Sequence, residues 1–295
     1  MTAAELTRSR HLRAVAEGAA RSVQEQLRAA FRGQMTVDHK RDARDVVTVH
    51  DKNAEKTISA YIFQHEPDSR ILGEEGGAVG DGSVSWFVDP IDGTSNFVDG
   101  IAFWCVSVAA AVDGEVVGAA ILDPMADDLF SADISGAWLN GRPLISVAAP
   151  TEAAATLITG YPNARQLAAH GGTALTDFAE LVLAFRAVRR PGSAALTLAH
   201  VAAGWADAAA GFNINPWDIS AAELIVNQAG GTYIPLAVGQ LERPEHSYDH
   251  RGYVAVGGGA SYPTLMSIAR DIAARGSGQR AATEAPVKKT QPATV

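Results

Sequence analysis

"WFVDPIDGTSNF", residues 86–97, runs three apolar residues into Asp89, crosses a proline and an isoleucine to Asp92, and passes straight into Gly-Thr-Ser. The lead-in reads as a buried strand, so its end delivers Asp89 to the kind of loop that carries active sites. Pro90 fixes a turn that lets Asp92 face the same space. Gly93 permits a close backbone approach, and Thr94 and Ser95 suit the start of a helix, whose first N–H groups attract anions. Two carboxylates beside an anion site repel each other and any phosphate. A hard divalent cation between them removes the conflict, and Mg²⁺ takes oxygen ligands that it shares with substrate phosphate. Read in isolation, the block is an ordinary turn, with Asp89 capping it and Asp92 solvated.

Other acidic clusters shift that balance. "GEEGG" places Glu74 and Glu75 after the apolar "RIL", "NPWD" places Asp218 at a helix start, and "VVTVHD" places Thr48 and Asp51 just before a helix. Each alone is a cap or an exposed acid. Together they are what a metal site assembled from separate elements requires.

Around these blocks the chain reads as an α/β mixture. Leu12, Val15, Ala16, Ala19, Val23, Leu27 and Phe31 recur at helical spacing, which predicts one amphipathic helix closed by Gly33. A second helix begins near Asp51, taken as its cap, and buries Ala54, Ile58, Tyr61 and Ile62. "SWFVDP", "FWCVSVAAAV", "EVVGAAILDP" and "DLFSAD" read as strands, and "GAWLNGRPL" as a hairpin turning at Asn-Gly. "AATLITGYP" and "AFRAVRRPG" follow as strands around a helical stretch. "GSAALTLAHVAAGWADAAAG" reads as a buried small-residue helix, and "NPWDISAAELIVNQAGG" as a helix from Pro216 to a stop at Gly230. The expected division is residues 1–148, an α+β unit with most of the candidate ligands, and 149–275, an α/β unit with the Trp-Asp block. A disordered Pro/Ala/Thr/Lys-rich tail is expected over 276–295.

Composition narrows the function classes. The chain has 295 residues, 47% hydrophobic and 19% charged, with a formal net charge of −9. That acidity argues against nucleic acid as a routine partner, though a bound metal can still draw a small phosphorylated ligand. The single cysteine, Cys105, lies in an apolar run and asks for no oxidising compartment. The charged N-terminal segment lacks a signal-peptide block and no apolar run spans a bilayer, so a cytoplasmic protein without membrane contact is expected. The eight histidines are read as surface or packing residues rather than zinc ligands,.

The set "DVVTVHDKNAEKTI", "ILGEEGG", "WFVDPIDGTSNF" and "NPWDISAAELIVNQAGG" resembles the inositol monophosphatase family, part of the lithium-sensitive, Mg²⁺-dependent sugar phosphatases. The likeness runs from about Arg8 to Ala274. It implies an alternating αβαβα layered sandwich, the fold shared with fructose-1,6-bisphosphatase, often as a homodimer. By resemblance, Glu74, Asp89 and the Ile91 carbonyl hold a first Mg²⁺. Asp89, Asp92 and Asp218 hold a second, and Glu74 supports a third through water. Asp51 and Thr94 would activate the attacking water, with Glu74 also catalytic. Substrate contacts would come from Gly93, Thr94, Ser95, Gly192, Ser193, Ala194, Gly211 and Asp218. Lys40 falls where the family places a lysine, although "HKRDAR" offers competing bases.

Substrate choice is the open point. Inositol-selective relatives carry a glutamate shortly before the Trp-Asp block, and here Gly211 stands in its place. The leading expectation is hydrolysis of myo-inositol 1-phosphate or a similar polyol phosphate. Histidinol phosphate, fructose 1,6-bisphosphate and a 3'-phosphoadenosine nucleotide are alternatives with the same chemistry. A non-catalytic scaffold or regulatory protein is the alternative of another class.

Overall fold

Residues 2–34, 37–39, 46–239 and 244–276 are described in the structure, a computed structural model. The first half contains α1 (Ala3–Arg21), α2 (Gln24–Ala30), β1 (Val37–His39), β2 (Val46–Thr48), α3 (Val49–His65), β3 (Ser69–Gly73), β4 (Gly77–Gly80), β5 (Val84–Asp92), α4 (Thr94–Asp99), β6 (Cys105–Val112), β7 (Glu115–Asp123), β8 (Asp128–Asp133), β9 (Gly136–Leu139) and β10 (Arg142–Pro143). The second contains β11 (Thr156–Thr159), α5 (Ala164–His170), α6 (Gly172–Ala184), β12 (Ala187–Arg189), α7 (Ala194–Ala202), β13 (Ala208–Phe212), α8 (Pro216–Gln228), β14 (Thr232–Leu236), β15 (Gly252–Val256) and α9 (Pro263–Arg275).

Two larger sheets form, an eight-stranded one in the order β10-β9-β8-β7-β6-β5-β3-β4 and a five-stranded one in the order β12-β11-β13-β15-β14. Strand side chains alternate between faces, and the alternation writes the layers directly. On β5 and β6, Trp86, Val88, Val106, Val108 and Ala110 face a core with Leu12, Val15 and Ala16 of α1 and Ile58 and Ile62 of α3. Their neighbours Phe87, Cys105 and Ala109 face the opposite core, which holds α7, α8 and one face of the smaller sheet through Ala209, Tyr253 and Ala255. The other face of that sheet, with Ala208, Ala210 and Val254, packs on Leu181 of α6 and Leu265, Ile268 and Ile272 of α9. The result is the expected αβαβα sandwich.

Several local expectations change. The opening helix is two helices, because Ser22 turns its hydroxyl back onto the Ala19 carbonyl at 2.6 Å and the chain restarts at Gln24,. Its apolar positions are nonetheless all buried. Asp51 is not the cap of α3. Thr48 is the N-cap, and Asp51 closes the capping box from within the first turn,. The long small-residue helix ends at Ala202, and Ala208–Phe212 is instead a central strand between β11 and β15. Asp207 fixes that changeover by accepting the Ala149 and Thr156 N–H groups at 2.7 and 2.6 Å. The Asn-Gly hairpin is present as β9–β10. The expected tail falls outside the described residues except for Gly276. Among the described residues no helix is long and apolar enough to cross a membrane.

Candidate active site

A regular strand would send Asp89 and Asp92, three positions apart, to opposite faces. The chain avoids this not by ending the strand in a turn but by bulging it. On β6, Ser107 pairs with Asp89 and Cys105 with Asp92, so three steps on one strand match two on the other,. Pro90, without an N–H to pair, sits inside the irregular stretch. Both carboxylates therefore meet on one side. Oxygens of Asp89, Asp92 and Asp218 all lie within 4.8 Å of one another.

Each acid is held by one oxygen. Asp89 Oδ1 accepts the Ile91 N–H at 3.0 Å. Asp92 Oδ2 accepts the Ser193 hydroxyl and the Ala195 N–H, both at 2.6 Å, at the start of α7. Asp218 Oδ2 accepts the Asn215 N–H at 2.7 Å and so closes the capping box of α8. One oxygen of each lies in the shared space. Burial and the surrounding carboxylates Glu74, Asp92 and Asp218 push Asp89 well above the ordinary carboxylate range. Burial, then Asp92, does the same to Asp218. Burial also raises Asp92, against the pull of the Ser193 hydroxyl and the first amides of α7. Three converging hard oxygen donors, each raised first by burial, are a fit for a divalent cation such as Mg²⁺,.

Asp51 is fully buried beside this cluster. Its Oδ2 accepts the Thr48 N–H at 2.8 Å and the Thr48 hydroxyl at 2.7 Å. Its Oδ1 is 3.1 Å from the Thr94 hydroxyl, which also lies 3.0 Å from the Ile91 carbonyl. The sequence pairing of Asp51 with Thr94 is thus a direct contact. Glu74 is half-buried at the end of β3, with its carboxyl in hydrogen-bonding reach of Asp89.

The remaining expected residues divide. Gly93 has φ of 98°, and a Cβ there would meet the Phe103 carbonyl oxygen at 3.2 Å and Ser193 Cβ at 3.3 Å, so α4 and α7 approach over a residue that must lack a side chain,. Ser95 is exposed on the first turn of α4. Gly192, Ser193, Ala194 and Gly211 line one cavity. Ser193, expected to face substrate, also gives its hydroxyl to Asp92. Lys40 lies outside the described residues.

Two supporting residues escaped the sequence reading. Glu55, one helical turn after Asp51, accepts the N–H groups of Glu75 at 2.7 Å and Gly76 at 2.6 Å and so holds the turn that presents Glu74. Asn96 donates to the Phe103 and Pro191 carbonyls, each at 2.7 Å, tying the loop before α7 to α4. The i, i+4 spacing of Asp51 and Glu55 was a signal for the first. Nothing local in the sequence marks the second.

Residues 8–274 match the pattern of the Inositol monophosphatase family. The chain is similar to a Nus factor SuhB of Pseudomonas aeruginosa, with 35% identity over 78% of this chain and 84% of that one. It is also similar to an inositol-1-monophosphatase of Rhizobium meliloti, with 37% identity over 63% of this chain and 71% of that one. Among solved structures, extragenic suppressor protein suhB from Bartonella henselae superposes with a TM-score of 0.74 at 29% identity, covering 90% of this chain and 98% of that one.

Proposed function

The chain belongs to the inositol monophosphatase family, and from that membership we propose a Mg²⁺-dependent phosphomonoesterase acting on a small polyol phosphate, with myo-inositol 1-phosphate the leading substrate. The observation that carries this reading is the convergence of Asp89, Asp92 and Asp218 within 4.8 Å beside the Asp51–Thr94 contact. Glu74, Asp89 and the Ile91 carbonyl would hold one Mg²⁺, and Asp89, Asp92 and Asp218 a second, with Glu74 supporting a third through water. Bound there, the ions supply positive charge at the phosphoryl oxygens and lower the pKa of water.

The chain's own part is proton handling and orientation. Thr94 donates its hydroxyl proton to Asp51, which leaves an oxygen lone pair to orient the attacking water. As the water oxygen bonds to phosphorus, its proton passes to Thr94 and the Thr94 proton to Asp51. The ester P–O bond breaks, the departing alkoxide takes a proton from a solvent water to leave as the alcohol, and the hydroxide so formed is neutralised by the proton held on Asp51. Thr48 holds the Asp51 carboxylate from the opposite side, so the relay keeps its direction. Gly93 and Thr94 would offer backbone N–H groups to the phosphate oxygens.

The test is phosphate release from myo-inositol 1-phosphate, histidinol phosphate, fructose 1,6-bisphosphate and a 3'-phosphoadenosine nucleotide, with Mg²⁺ and with EDTA. Release from the inositol ester that needs Mg²⁺ and falls with millimolar Li⁺ is expected. No release from any of these esters would refute the reading. The relatives called Nus factor support a second reading, in which this chain also acts as such a factor in the cytoplasm. A hydrolysis-dead Asp92→Asn chain that still performs the cellular role would favour it. We expect a homodimer, measurable as molar mass by light scattering.

A further inference from the structure

A cavity of about 160 Å³ opens beside the carboxylates, sharing Ser193 with the Asp92 anchor. Among the described residues, no Asp, Glu, Lys, Arg or His side chain lines it. Its polar groups are mostly engaged. Asn163 and Gln166 cap α5 reciprocally, the Tyr161 hydroxyl donates to Asp177 at 2.7 Å, and the Thr197 hydroxyl donates to the Gly192 carbonyl at 3.2 Å. Thr159 accepts the Tyr161 N–H at 3.2 Å, and Ser193 serves Asp92. Among the described residues, the Tyr253 hydroxyl is the lining side-chain group with no such engagement.

Tyr253 also explains the glycine opposite it. Gly211 of β13 pairs with Tyr253 of β15. A Cβ on Gly211 would lie 2.4 Å from the Tyr253 ring and 3.0 Å from its hydroxyl oxygen. The phenol therefore occupies the space that a Gly211 side chain would fill, and its ring is backed by Tyr233, stacked at 5.6 Å between centroids. Tyr253 lines the cavity together with Ser193, the residue that holds Asp92.

Resting on the phosphatase reading above, in which Gly192, Ser193, Ala194 and Gly211 already contact substrate, we propose that Tyr253 is the specificity-determining residue of this cavity, hydrogen-bonding a hydroxyl of an uncharged polyol. A leaving group carrying an ammonium or a second phosphate would bring a charge into a cavity whose described lining offers no charged partner for it, at a cost of several kcal/mol in general,. A hydroxylated, uncharged ring or chain meets the phenol as either donor or acceptor.

The experiment compares the wild-type chain with Tyr253→Phe, which keeps the ring over Gly211 and removes only the oxygen. Substrates are myo-inositol 1-phosphate, histidinol phosphate, fructose 1,6-bisphosphate and p-nitrophenyl phosphate, whose leaving group carries no hydroxyl, all with Mg²⁺. Wild-type kcat/KM should favour the inositol ester over the two charged ones. In Tyr253→Phe the ratio of kcat/KM for the inositol ester to that for p-nitrophenyl phosphate should fall about tenfold. An unchanged ratio, or a wild-type preference for either charged ester, overturns the role of Tyr253 and leaves the phosphatase reading standing. No hydrolysis of any of the four by wild type overturns both.

Discussion

Replacing Asp92 by asparagine separates the charge of this residue from its place in the fold. Its Oδ2 accepts two hydrogen bonds of 2.6 Å, from Ser193 and from the Ala195 N–H. An asparagine keeps both by turning its carbonyl oxygen to them and carries no charge beside Asp89 and Asp218, so the metal-free fold should lose no stability. Cation affinity and transition-state charge neutralisation should suffer instead. Losing about 4 kcal/mol of that neutralisation corresponds to about 10³-fold in kcat. The assay is phosphate release at saturating Mg²⁺, with thermal unfolding measured on the same samples. Near wild-type turnover in Asp92→Asn would refute the metal-ligand assignment. A drop of many degrees in Tm without Mg²⁺ would show that the carboxylate is structural.

Two further outcomes follow from the same geometry. In Glu55→Gln only one of the Glu75 and Gly76 N–H groups finds an acceptor and the other meets an NH₂, so the turn bearing Glu74 should shift and half-saturating Mg²⁺ should rise about tenfold,; an unchanged Mg²⁺ dependence of turnover would count against that role. Asp89 and Asp218 are pushed well above 3.8, so without metal the folded chain holds protons that the unfolded chain releases. Stability is then full below about pH 4 and is lost as pH rises through the raised values. Tm in EDTA should therefore be higher at pH 5 than at pH 8, with Mg²⁺ adding more at pH 8 and each kcal/mol worth about 2–4 °C; a Tm indifferent to both pH and Mg²⁺ would contradict it.

The acids were legible because each sits where an apolar run stops, and a buried carboxylate without a partner has few reasons to exist. Their mode of convergence was not legible. A bulge at Pro90 depends on pairing with β6, which lies on from α4 in the chain, and the anchor of Asp92 depends on α7, about a hundred residues away. Alanine runs misled for a related reason. Alanine favours helices in isolation, yet Ala208–Ala210 gain backbone partners on both sides, from β11 and β15,. Strands β14 and β15 and helix α9 went unassigned in the sequence. Pro235 disguised β14, which tolerates a proline because it is an edge strand,. The role of Gly211 needed Tyr253, a residue on the neighbouring strand that no local pattern connects to it.

Asp92 is fastened to the start of α7 and Asp218 to the start of α8, and these helices pack on each other, with Ala195, Ala199, Ala202, Ala221 and Ala222 buried in the core between the sheets. The spacing of the two helices therefore sets the spacing of two of the three acids that could hold a cation. One added methyl group there would act as a wedge, spreading the acids without touching any of them. Engineering the selectivity of this cage for ion radius would start in the interior of the protein rather than among the ligands.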